Sequence, residues 1–123
     1  MNAIQEAEAQ FVANGNHLES VVMPILEEAA HRLAPEVRVE GPGSRNADFD
    51  GVFRRLSYVK SGRKDAAQLI FSANKGGSEN KIVVGEYVLG DGPFELFTRD
   101  QVTQEFVRTR VAKFIEKVEK QLT

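Results

Sequence analysis

Two apolar runs, Ala66 to Ala73 and Lys81 to Leu89, stand out along the chain, joined by the polar stretch Asn74-Lys75-Gly76-Gly77-Ser78-Glu79-Asn80. β-Branched and aromatic residues crowd both runs, and glycine, asparagine and serine fill the connector, which predicts the central antiparallel hairpin of a small sheet. Upstream, Ile4, Ala7, Phe11, Leu18, Val22, Ile25, Ala29 and Leu33 recur at helical spacing, with Val21 and Leu26 widening the stripe. That pattern predicts a long amphipathic helix, or two, over residues 2–33. Gly15 between Asn14 and Asn16 predicts a break, with Asn16 and Glu19 in the spacing of a capping box. Pro24 has no N–H for the Ser20 carbonyl and predicts a kink near Ser20, and Pro35 ends the helix.

Glu36-Val37-Arg38-Val39-Glu40 alternates polar and apolar positions, as in an edge strand with one wet face. Gly41-Pro42-Gly43-Ser44 opens a loop that runs to Gly51. Val52 to Lys60 reads as a strand, except that the adjacent Arg54 and Arg55 interrupt alternation, so one faces the less buried side or a bulge re-aims it. Ser61 to Asp65 forms a turn into the hairpin, and Gly90-Asp91-Gly92-Pro93 a tight turn into the short strand Phe94 to Phe97. The last element has the most regular pattern. Thr98 and Gln101 have capping-box spacing, Asp100 suits the helix dipole, and Val102, Phe106, Val107, Val111, Phe114, Ile115, Val118 and Leu122 form one apolar face.

The order is helix, about five meandering strands, helix: an α+β fold in which N-terminal and C-terminal amphipathic helices flank an antiparallel sheet. On the hairpin, Val83, Tyr87 and Leu89 point to one side, and Ile82, Val84 and Val88 to the other. A sheet apolar on both faces needs cover on both. The helices therefore lie on opposite faces, or one face meets another chain.

A length of 123 residues that are 41% hydrophobic fits a single domain spanning 1–123. The chain has no cysteine, which excludes disulfides and thiolate chemistry and suits a reducing, cytoplasmic setting. Nothing approaches the ~20 consecutive apolar residues of a membrane helix, and the acidic start does not read as a signal peptide, so a soluble, unprocessed protein is expected, with no membrane partner. The net charge of −2 is small, but its distribution is uneven. Residues 1–40 carry seven acids and two bases, net −5, and residues 41–64 carry six bases and two acids, net +4.

That basic stretch supplies the one candidate for nucleic acid or another anion: Arg54, Arg55, Lys60, Arg63 and Lys64, with Phe53 and Tyr58 as aromatics for stacking. A solvated strand face paired with the acidic first helix accounts for the same charges. Asn46 to Gly51 resembles the first half of an EF-hand calcium loop, but Ser57 stands where the bidentate glutamate belongs, so an ordinary acidic turn is expected and no metal. His17 and His31 are fourteen residues apart, ~21 Å along a helix, and do not chelate one ion together. The Lys75 to Ser78 loop joins antiparallel strands rather than leading into a helix, unlike loops that cradle phosphate. No catalytic residue and no cofactor is indicated.

In architecture alone the pattern resembles secretion chaperones and other dimeric adaptor proteins, with no motif in common. The expected function is that of a non-enzymatic binding or adaptor domain acting through protein contacts, chaperone-like and homodimeric, with Val83, Tyr87 and Leu89 at the interface. The alternatives are a nucleic-acid-binding module built on the basic cluster, and a small-ligand or enzyme pocket between helix and sheet.

Overall fold

The computed structural model describes residues 2–32, 37–40, 51–58, 67–74, 80–88 and 92–122. The first helical stretch runs without interruption as α1 (Ala3–His17), a π-helical turn (Leu18–Val22) and α2 (Met23–Arg32). Five strands follow, β1 (Val37–Glu40), β2 (Gly51–Tyr58), β3 (Ala67–Asn74), β4 (Lys81–Val88) and β5 (Phe94–Thr98); a 3-10 turn (Arg99–Gln101) then leads to α3 (Gln104–Leu122). The sheet is antiparallel throughout, in the order β1-β2-β3-β4-β5. Expected as about five strands, it has its described side chains on the four strands β2 to β5, and the four-residue β1 enters through its backbone pairing with β2. The class expected from the sequence, α+β with an antiparallel sheet between N- and C-terminal helices, is the one observed. No described helix is long and apolar enough to cross a membrane.

The strand register settles which side chains share a face. Leu56, Leu69 and Glu86 lie in one row, and Phe71, Val84 and Glu95 in another. On this face Leu56, Ala67, Leu69, Phe71, Ala73, Ile82 and Val84 form one buried cluster with Leu18, Val22, Ile25, Leu26 and Ala29 of the first helical stretch and with Val102, Val107, Val111, Phe114 and Val118 of the C-terminal segment. Both helices therefore cover the same face. The spacing of the α3 residues, 107, 111, 114 and 118, is one stripe of an α-helix laid on the sheet. Each fully buried side chain such as Phe71 or Leu26 contributes roughly 1.5–3 kcal/mol by its removal from water.

The first helix differs from expectation at three points. Its capping box is Asn2 with Gln5, in which the Gln5 N–H donates to Asn2 Oδ1 at 2.9 Å and the Asn2 N–H to Gln5 Oε1 at 3.1 Å. Asn16 and Glu19 do not form one, because the helix does not begin there. Nor does it break at Gly15. Asn14 is fully buried, and its Nδ2 donates to the Lys81 carbonyl at 3.2 Å, so tertiary hydrogen bonding outweighs the unfavourable propensity of Asn-Gly-Asn. The disturbance expected from Pro24 takes the form of the π turn, in which the Met23 N–H reaches back five residues to the Leu18 carbonyl.

The Thr98–Gln101 capping box is present, but it encloses the 3-10 turn instead of opening α3. The start of α3 is capped by Thr103, whose Oγ1 accepts from the Phe106 N–H at 3.1 Å and whose carbonyl accepts from Val107. The turn brings Arg99 under α1, where its Nη1 donates to Gln10 Oε1 at 2.9 Å and to Asn14 Oδ1 at 3.0 Å. Beside it, His17 Nε2 donates to the Val102 carbonyl at 2.6 Å. These contacts pin the N-terminal helix to the segment between β5 and α3.

Asn14→Leu keeps the volume at this point but removes the bonds to Lys81 and Arg99, leaving that carbonyl and that guanidinium each short of a partner in a partly buried site. The expected cost is about 1–3 kcal/mol, read as a lower urea midpoint with an unchanged slope.

Candidate functional site

On the far side of the sheet the rows read Phe53–Ser72–Val83–Leu96, Arg55–Ile70–Gly85–Phe94 and Ser57–Gln68–Tyr87. Among the described residues no helix belongs to this face, since both are occupied on the other. Its middle is apolar: Phe53 and Ile70 are buried, and Val83 and Tyr87 half-buried. A trough of about 270 Å³ runs across it, lined by Phe53, Ile70, Ser72, Val83, Tyr87 and Phe94 among others. Gly85 makes the hollow. A side chain there would meet the Tyr87 ring and hydroxyl at 3.1 Å, so the tyrosine leans over its bare neighbour two residues back. The margin at β5 is the most exposed part, with Phe94 67% and Leu96 64% accessible.

Two of the three candidate interface residues, Val83 and Tyr87, thus share the helix-free face and line the same trough. Leu89 lies outside the described residues.

The basic cluster is placed differently. Arg54 and Arg55 are successive residues of a regular strand, paired with Phe71 and Ile70 with no bulge, so they point to opposite faces. Arg54 faces the helices, where only 8% of its side chain is accessible. Its Nη2 and Nε donate to Glu19 Oε2 at 2.6 and 3.1 Å, and its Nη1 to the Phe53 carbonyl at 2.8 Å. The acidic first helix and the basic strand meet in this ion pair. Arg55 lies on the far face, its Nη1 donating to Gln68 Oε1 at 3.1 Å and its guanidinium 5.5 Å from the centre of the Phe53 ring. Lys60, Arg63 and Lys64 lie outside the described residues, as do residues 46–50 of the calcium-like turn. No group of three or more metal-ligating side chains occurs among the described residues.

Between α2 and α3 a second hollow of about 160 Å³ is lined by Ile25, Ala29, Val111 and Ile115, with Glu28 and Arg108 among its other residues. It brings no convergent polar set to the helix layer. Sequence reasoning missed the polar contacts Asn14–Arg99 and His17–Val102, which join residues 85 apart and have no local signal. The ion pair Arg54–Glu19 had an indirect signal in the opposite charges of the two segments.

Compared with protein-family models, curated proteins and solved structures, the chain matches none.

Glu19 and Arg54 differ in exposure, the acid being 64% accessible, which makes their substitutions unequal. Glu19→Ala takes from the buried Arg54 guanidinium two of its bonds and leaves that to the Phe53 carbonyl, and is expected to cost about 1–3 kcal/mol. Arg54→Met removes the buried charge and keeps most of the volume, so it is expected to cost less than Glu19→Ala, with urea unfolding of the two variants as the comparison.

Proposed function

We propose that the protein is a single-domain, non-enzymatic binding or adaptor module of the cytoplasm, chaperone-like in use, that holds a protein partner against the helix-free face of its sheet. The observation that carries this reading is the placement of both helices on one face, with Phe53, Ile70, Val83 and Tyr87 together on the other. Apolar surface gathered on one face of a sheet and edged by exposed aromatic and aliphatic side chains fits a protein contact. The trough across it is lined mainly by apolar side chains, with Ser72, Asn74 and the Tyr87 hydroxyl to orient an inserted group. A complete absence of cysteine suits a reducing compartment.

A photoreactive side chain tests the reading in cells. Tyr87→benzoylphenylalanine is expected to form one discrete protein adduct that is lost when Val83→Glu is added, while Glu27→benzoylphenylalanine, on the exposed side of α2, forms none. Equal labelling from both positions, or an adduct indifferent to Val83→Glu in a folded variant, refutes it.

A further inference from the structure

The outer side of β5 pairs with no strand among the described residues. In the β4–β5 ladder the Glu86 N–H bonds to the Pro93 carbonyl, and beyond the strand the Arg99 N–H bonds to the Asn80 carbonyl. Backbone direction alternates along a strand, so Pro93, Glu95, Phe97 and Arg99 turn their polar groups toward β4, and Phe94, Leu96 and Thr98 turn theirs outward. The Thr98 N–H is taken by Gln101 Oε1 at 2.9 Å. The N–H and C=O of Phe94 and Leu96 and the C=O of Thr98 make up the rest of the edge. Natural edge strands are blunted by shortness, by lysine, proline or a bulge, or by an inward-pointing charge. β5 is short but has no lysine, proline or bulge, and its single charge, Glu95 on the helix side, is met by Arg110 at 3.7 Å.

We infer that β5 is the pairing edge for a second copy of this chain, joined antiparallel about a two-fold axis at Leu96. Three registers are open to a strand this short, and the side chains choose among them. Centring on Glu95 sets the two glutamates directly against each other, and like charges opposite one another are unfavourable. Centring on Phe97 leaves Phe94 opposite residue 100, beyond the strand of the other copy. Centring on Leu96 pairs Leu96 with itself through two N–H···O=C bonds and lets each Phe94 N–H donate to the other copy's Thr98 carbonyl, which leaves the Gln101 cap intact. On the helix-free side the exposed Leu96 side chains meet across the axis, and each exposed Phe94 packs beside the other copy's Thr98. On the helix side each Glu95 falls opposite the other copy's Phe97.

Charge complementarity makes the second copy the fitting occupant. The Arg110 guanidinium lies 5.2 Å from the centres of both the Phe97 and Phe106 rings, themselves in an edge-to-face pair at 4.8 Å. A Glu95 brought opposite the other copy's Phe97 therefore arrives beside that copy's Arg110, and the two-fold makes the exchange reciprocal. The pairing borders the docking face, sharing Phe94 at its margin, but does not rest on the docking role proposed for that face.

Sedimentation equilibrium of the whole chain tests it. The wild type is expected at twice the chain mass. Leu96→Pro removes an outward N–H without touching the β4 ladder, and Leu96→Lys places a charge on the axis; each is expected to raise the dissociation constant about tenfold or more with an unchanged far-UV circular dichroism spectrum. Glu95→Arg and Arg110→Glu are each expected to weaken the dimer and together to restore it. If Leu96→Pro fails to fold, the lysine variant and the charge exchange decide. A wild type that stays monomeric at high micromolar concentration, with or without affinity for an extended peptide, overturns the inference, and so does a folded Leu96→Lys variant that remains a full dimer. The Tyr87 photoadduct persisting in a monomeric Leu96 variant separates the fate of the pairing from that of sheet-face docking.

Discussion

The structure rests on one-sided packing. A single apolar layer, with Phe71 and Phe114 among its largest fully buried members, holds the first helical stretch and α3 against the same face of the sheet. Every other feature follows from that choice. Because two helices share one face, polar groups must be satisfied where they meet the strands: Arg54 with Glu19, Asn14 with the Lys81 carbonyl, and Glu86 with Lys117 at 2.5 Å. Among the described residues no helix covers the opposite face, where Phe53 and Ile70 are buried, Val83 and Tyr87 half-buried, and only the margin at Phe94 and Leu96 is well exposed.

How far the sequence was legible depends on the range over which each signal acts. Strand alternation and the 3.6-residue stripes are local, so the strands, the α3 face and the antiparallel order could be read from residue spacing. Which face the helices take is not local. Val83 and Val84 are equally apolar, and only the assembled fold shows that the second lies under a helix and the first does not. The same reason explains the misjudged helix. Asn-Gly-Asn is a sound breaking signal by propensity, overridden here by a hydrogen bond to residue 81 that no window around residue 15 contains. Pro24 was read as a kink near Ser20, and what stands there is a π turn over Leu18–Val22 whose two end residues are buried.

The candidate site was half legible. Period-two alternation placed Val83 and Tyr87 together, and the register agrees. The arginines illustrate the converse. Neighbours in sequence, they look like one cluster, but in a strand without a bulge they are separated by the thickness of the sheet, one serving the core and the other lying over Phe53. The hollow itself had a faint signal in Gly85, a glycine inside an otherwise apolar strand, which often marks a close approach or a gap.

The contacts of Arg99 bear on how the chain reaches its fold. Its side chain satisfies Gln10 and Asn14, 89 and 85 positions earlier, and His17 likewise waits for the Val102 carbonyl. The polar groups of the first helical stretch thus find these partners only across a separation of 85 to 89 positions, a long loop to close. Such long-range closure slows folding more than it alters stability. It also makes the placement of the Arg99 turn, rather than formation of the first helix alone, the step that satisfies Asn14 and Gln10.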